Sequence, residues 1–292
     1  MRARDFMGRL RIRWWVRRIK LTLVALRDAT TLGENVTKAS SRSPRFEGHE
    51  YPQVIPEPDD VATGKPAPWA KLSERERNGL SLELVRQRLD AAHRLLASSP
   101  LPHDPVDFAV VNDDVARPFI GRAAVLVALF EEEGESHVVL TRRARTLSSH
   151  RGDVALPGGR SELDESAVAT ALRETHEEVG IEPSLVTPEA WLTPLVTYGS
   201  SAMMWPIVGT LRERPTLVID PREVERAFSV SLADLAADDA FLEERWRRAP
   251  ARPSADADGY SPIHFFRVPG DLIWGATARV LTELLRIVLD VR

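Results

Sequence analysis

Between Gly158 and Ile181 the chain runs GGRSELDESAVATALRETHEEVGI, a loop followed by a helix. Pro157, Gly158 and Gly159 forbid regular structure and let backbone approach a bound group closely. From Ser166 to Val179 the residues suit a helix, with Val168, Leu172, Thr175 and Val179 along one stripe. Gly180 stands where such a helix stops. Glu174, Glu177 and Glu178 fall at i, i+3 and i+4, which places their Cβ atoms about 5–6 Å apart on one side. Three carboxylates so close repel one another. A hard divalent cation relieves that repulsion, and Mg²⁺ is commonly shared between carboxylates and substrate phosphates. On the three glutamates alone, a solvated acidic helix face is the commoner reading.

The whole chain has 292 residues, which at about 150 per domain predicts one or two domains. Its 39 Lys and Arg against 43 Asp and Glu leave a net charge of −4, and nothing in that balance points to nucleic acid. Apolar residues make up 43%, enough for a packed core and against disorder of the chain as a whole. The absence of cysteine excludes thiol nucleophiles, disulfides, Cys-ligated zinc and iron–sulfur clusters. It also suits a reducing compartment, so a cytoplasmic protein is expected. No apolar run reaches the roughly 18 residues a membrane-spanning helix needs.

Residues 1–72 read as a basic N-terminal segment and a Pro-rich linker, irregular or partly helical. Eight basic residues and one acid lie between Arg2 and Lys20. The six-residue apolar run Leu21–Leu26 is too short for a secretory signal. Ile12, Trp15, Val16, Ile19, Leu23 and Leu26 share one helical face. Such a face can lie on an anionic membrane surface, although docking on the domain or a frayed tail explains it more simply. The stretch 33–71, with prolines at 44, 52, 56, 58, 66 and 68, reads as a linker or surface wrap.

Residues 73–292 carry the domain. Leu80 to Leu96 suggests a helix that stops near Pro100. Ala123–Glu131 and His137–Thr141 read as a hairpin joined by Glu132-Glu133-Gly134-Glu135. Further strands are expected at Ala190–Val196, Trp205–Leu211, Val224–Val230 and Ile263–Val268, and a last helix at Gly275–Leu289. Many strands with few helices and no βαβ alternation predict an α+β fold.

The spacing from Gly159 onward adds more. Gly159, Glu165, Arg173-Glu174, Glu177-Glu178, Gly180 and Ile181 fill every fixed position of the Nudix box, G-x5-E-x7-R-E-U-x-E-E-x-G-U, with Thr175 a semi-apolar departure at one U position. The chain therefore resembles Nudix hydrolases. The resemblance implies an α/β/α sandwich around a mixed β-sheet, and hydrolysis of a nucleoside diphosphate linked to another group, with Mg²⁺ or Mn²⁺. It implies Glu177 and Glu178 as metal ligands, Glu174 as a further ligand or the base, and the Gly159 carbonyl as a completing ligand. Arg173 is expected to hold Glu174, and Glu165 to support the cluster or cap the helix start. Glu223 resembles an extra acid of some members, with a solvated strand edge the simpler reading.

The segment before the box extends the likeness. Val139-Leu140-Thr141-Arg142-Arg143-Ala144, Gly152 and Leu156-Pro157-Gly158-Gly159 resemble the motif of coenzyme A pyrophosphatases, L-L-T-x-R-[SA]-x3-R-x3-G-x3-F-P-G-G. Val139, Ser148 and Leu156 depart from it, and Ser148 removes a cation. Pro262–Leu281 resembles that subfamily's closing segment. Arg142, Arg143 and Gly158 are the expected substrate contacts, while His150 reads as a loop histidine and Trp274 as core. The implied reaction gives 3′,5′-ADP and 4′-phosphopantetheine from coenzyme A or its derivatives. Two other readings stand behind it: a Nudix pyrophosphohydrolase acting on ADP-ribose, NADH or a nucleoside triphosphate, and a non-catalytic nucleotide-binding module. The intact Arg173, Glu174, Glu177 and Glu178 speak against the last.

Overall fold

The structure is a computed structural model and describes residues 53–98, 121–196, 202–248 and 255–291. The amphipathic face of residues 12–26 lies outside the described residues. In chain order the elements begin with β1 (Asp60–Thr63), α1 (Glu74–Arg77), α2 (Leu82–Ala91), β2 (Gly121–Glu132), β3 (Glu135–Arg143), β4 (Val154–Ala155) and β5 (Gly158–Arg160). Then follow α3 (Ala167–Val179), β6 (Val186–Trp191), β7 (Leu195–Val196), β8 (Ala202–Leu211), β9 (Val224–Ser231) and α4 (Leu232–Leu235). The chain closes with β10 (Phe241–Arg247), β11 (Tyr260–Val268), β12 (Asp271–Trp274) and α5 (Gly275–Val288). No described helix is long and apolar enough to cross a membrane.

Strand β2 is apolar on both sides because both of its faces are covered. Ala124, Leu126, Ala128 and Phe130 join Ala171 and Val179 of α3 in one cluster. Val125, Val127 and Leu129 join Leu281, Leu284 and Leu285 of α5 in the other. Burying each large aliphatic contributes roughly 1.5–3 kcal/mol, above the roughly 1–2 kcal/mol of backbone entropy lost in ordering its residue. The result is a mixed eight-stranded sheet between helical layers. Its main path runs β4-β3-β2-β8-β6, with β5 on β2, β7 on β8 and β9 on β3. β2 and β8 are parallel, and the other pairs are antiparallel.

The expected hairpin forms, with a two-residue turn in which Glu133 (φ +54) and Gly134 (φ +82) are both left-handed. That is the turn type whose twist matches its strands. The strand expected over 190–196 is split into β6 and β7 around Pro194, which has no N–H to give a ladder. The helix expected over 80–96 is cut short after Ala91, where His93 takes φ +55.

A second sheet was not legible as such. It is antiparallel, ordered β1-β10-β11-β12. Its first strand comes from the stretch expected as linker, so residues 53–72 belong to the domain. Trp69 is fully buried, edge-on to Phe241 with centroids 5.4 Å apart and stacked on Phe266 at 6.2 Å. Gln53 donates to Asp271 Oδ1 at 2.8 Å, and Asp60 Oδ2 accepts from Tyr260 Oη and Arg247 Nη2, each at 2.6 Å.

The helix of the quoted stretch starts and stops where its residues say. Ser166 is the N-cap, its Oγ accepting from the Ala169 N–H at 3.1 Å. Gly180 closes it at φ +73, and a Cβ there would meet Val218 at 3.0 Å.

Candidate active site

The two box glycines bring backbone against the chain's own carboxylates. β5 pairs with the start of β2, Gly158 opposite Val125 and Gly159 opposite Ala124, beneath α3. A Cβ at Gly159 would stand 2.3 Å from Glu174 Oε2, and one at Gly158 would stand 2.3 Å from the Ala124 carbonyl oxygen. At Gly158, whose φ is +149 and whose obstacle is backbone, only glycine fits, whereas a side chain at Gly159 would displace the Glu174 carboxylate. The Gly158 N–H donates to Glu178 Oε2 at 3.0 Å.

Glu178 is 3% exposed. Burial pushes its carboxyl up to about 7, against the pull of the Gly158 N–H and Arg143, and the charges of Glu223 and Glu174 push the same way as burial. The Arg143 guanidinium stands 3.7 Å from Glu178 Oε1. Glu174 is also raised, first by burial and then by the charges of Glu177 and Glu223, while Arg173 opposes the shift. Glu223 thus acts on both carboxylates. Its loop is strapped to the end of α3, where the Val218 N–H donates to the Val179 carbonyl at 2.9 Å and the Asp220 N–H to the Glu178 carbonyl at 3.0 Å.

Arg173 ties the remaining acids together. Its Nη1 donates to Glu174 Oε1 at 2.8 Å and to Glu177 Oε2 at 3.2 Å, and its Nη2 to the Arg160 carbonyl at 3.0 Å. Glu165 takes two further bonds from Arg173, which hold its carboxyl down to about 2.

A family model described as the NUDIX domain matches residues 121–251. Over 178 residues the chain is 38% identical to Nudix hydrolase 22, chloroplastic, of Arabidopsis thaliana, covering 57% of this chain and 55% of that protein. Over 150 residues it is 36% identical to the Nudix hydrolase NudL of Photorhabdus laumondii, covering 50% of this chain and 74% of that one. The chain belongs to the Nudix hydrolase family. It spans about half the length of the two Arabidopsis Nudix hydrolases it matches, 55% and 56%. Among solved structures it is similar to a Nudix hydrolase from M. smegmatis, RenU, with a TM-score of 0.36 and 22% identity over 41% of this chain and 76% of that one.

The Nudix box residues do not all converge. Glu174 and Glu178 meet at the diglycine. Glu177 turns outward, its side chain 58% exposed and tied to Arg173. Glu165 does not cap the helix, since Ser166 does so, and it braces Arg173 instead. The two arginines of the segment before the box part company, as successive residues of a strand must. Arg143 reaches Glu178, whereas Arg142 lies 3.4 Å from the fully buried Asp271 of β12, which also receives Arg226 at 3.2 Å. Arg142 is therefore engaged in an ion cluster around the buried Asp271. Trp274 is half-buried, its indole N–H donating to Asp153 Oδ1 at 3.0 Å.

Among the described residues no three His, Asp or Glu side chains converge into a ready metal cluster. The donor set still fits Mg²⁺ or Mn²⁺. It consists of hard oxygens, with two raised carboxylates that a cation would relieve. Mg²⁺ typically takes one or two carboxylates and fills the rest of its shell with water and substrate phosphate.

Proposed function

We propose that this Nudix chain is a metal-dependent pyrophosphohydrolase that cleaves the diphosphate of coenzyme A or its derivatives, giving 3′,5′-ADP and 4′-phosphopantetheine. The observation that carries the hydrolytic reading is the pair of carboxylates, buried Glu178 and half-buried Glu174, gathered at the Gly158-Gly159 backbone. Glu178 and Glu174 would hold Mg²⁺ or Mn²⁺ with the Gly159 carbonyl, and Glu177 would join them on turning in from Arg173. A cation bound there would supply Lewis acidity and would lower the pKa of water toward neutral. Arg143 binds a diphosphate oxygen, and the Gly158 backbone lies against it. Arg173 orients Glu174 without touching substrate, and Glu165 fixes Arg173. Glu223 adds negative charge at the same place and is the remaining candidate base.

The coenzyme A assignment is supported by the likeness of residues 139–159 to the coenzyme A pyrophosphatase motif. Ser148, where that motif has an arginine, favours the second reading, in which ADP-ribose, NADH or a nucleoside triphosphate is the substrate. A hydrolysis screen of these compounds with Mg²⁺, Mn²⁺ and EDTA tests the function. The expected result is metal-dependent release of 3′,5′-ADP from coenzyme A. No turnover of any diphosphate with either metal overturns the reading.

A further inference from the structure

Asp153 is a buried carboxylate, 8% exposed, that the hydrolytic site does not use. Both of its oxygens are engaged. Oδ1 accepts the Trp274 indole N–H at 3.0 Å, and Oδ2 lies 3.0 Å from His150 Nδ1. Its backbone closes the ladder at the end of β3. The Arg143 N–H donates to the Asp153 carbonyl at 2.9 Å, and the Gly152 N–H donates to the Arg143 carbonyl at 3.1 Å. Arg143 is the residue whose guanidinium stands 3.7 Å from Glu178. One carboxylate thus joins the end of β12, the loop before the diglycine and the strand end that carries the cation facing Glu178.

His150 sits there in a strained conformation, at φ +54. The left-handed region costs a side-chain-bearing residue about 1–2 kcal/mol. Asparagine visits that region more routinely and carries an amide nitrogen where the imidazole has Nδ1. A histidine that only stapled the loop would gain nothing over it. What the imidazole adds is a second nitrogen, aimed by the first. With Nδ1 held by Asp153, the ring is fixed in direction and Nε2 is left to act, the logic of an Asp–His pair. The His150 side chain is 52% exposed, and Nδ1 is its only bonded atom among the described residues. Arg145, beside Glu225 at 3.4 Å, and Arg151, bonded to the Leu147 carbonyl at 2.5 Å, make the same loop rich in cations.

We propose that Asp153 is a positioning residue that aims His150 at the substrate, and that His150 Nε2 contacts a phosphoryl oxygen beside Arg143. The proposal rests on the hydrolytic reading only for the class of substrate, a phosphorylated diphosphate. Coenzyme A binding in EDTA, measured by calorimetry on the full chain, separates contact from turnover. His150→Asn keeps the bond to Asp153 and the left-handed backbone but lacks Nε2, and we expect it to bind about tenfold more weakly with an unchanged melting temperature. Asp153→Asn keeps the size, presents an amide to Nδ1 and so selects the other tautomer, and should weaken binding by a similar factor. In turnover both losses should appear in KM more than in kcat. Equal affinity of wild type and His150→Asn, or no binding by the wild type, overturns the proposal. If the binding difference stands while no diphosphate is hydrolysed with metal, the hydrolytic reading falls alone.

Discussion

The Arg173 guanidinium grips Glu165 through two hydrogen bonds of 2.9 Å, Nε to Oε1 and Nη2 to Oε2, and spends its remaining nitrogen on Glu174 and Glu177. This fork fixes the plane of the guanidinium and, through it, the direction of Glu174. Lysine keeps the charge but offers no planar fork. Arg173→Lys should therefore lower kcat by about 10–100-fold, the range typical of groups that orient metal ligands. Its KM should change little, because the Arg173 guanidinium is taken up by Glu165, Glu174 and Glu177. A large KM effect with kcat preserved would show that Arg173 binds substrate directly.

Glu178 carries a stability cost that has a definite pH signature. Its carboxyl titrates near 7 in the folded chain against an ordinary 4.5, so the folded state holds its proton longer than the unfolded one. Stability from this group is complete below pH 4.5 and is lost as pH rises through about 7. The loss is on the order of 3 kcal/mol. In EDTA, Glu178→Gln should melt progressively above wild type between pH 5 and pH 8, because it has no buried charge to develop. The same variant should lose about 100-fold or more in activity, since it removes a charge from the proposed cation site. Equal pH dependence of the two melting curves would contradict the burial argument.

Thr175 Oγ1 is buried in α3 with no hydrogen-bond partner among the described residues. A buried donor left unpaired costs about 1–3 kcal/mol. Thr175→Val retains the branched shape against the sheet and restores the apolar residue of the box. Denaturant unfolding should show a gain of about 1 kcal/mol, with the slope of the transition unchanged. A loss of stability would mean that the hydroxyl finds a partner in solution.

The legible parts of the chain are those where one local rule dominates. The β2–β3 hairpin was readable because two apolar runs flank a turn with Gly134, and α3 because Ser166 and Gly180 mark its ends. The second sheet was hidden for a physical reason. β10 reads FLEERWR, whose Glu243, Glu244 and Arg245 look like surface, yet Glu244 is 2% exposed with the Trp246 indole N–H bonded to it at 2.8 Å. β1 sits among prolines, and its partners are contributed by residues nearly two hundred positions away. The spacing of Glu174, Glu177 and Glu178 placed them on one helix side, but not which of them the diglycine would bury. Rotamers and the reach of Arg173 decide that. The separation of Arg142 from Arg143 follows from strand alternation once the strand is extended to Arg143. Glu223 stood in the sequence only as a single acid after a proline. Its bearing on Glu174 and Glu178 depends on a loop strapped to the end of α3, which no local pattern encodes.

Coenzyme A as the substrate is decided by one comparison. kcat/KM for coenzyme A and for its 3′-dephospho form should be measured side by side with saturating Mn²⁺, ADP-ribose serving as the third substrate. A clear preference for coenzyme A, lost in EDTA, is expected if the cations around Arg143 meet the additional phosphate. Equal turnover of the two forms, or faster hydrolysis of ADP-ribose, would contradict the assignment and point to the second substrate class.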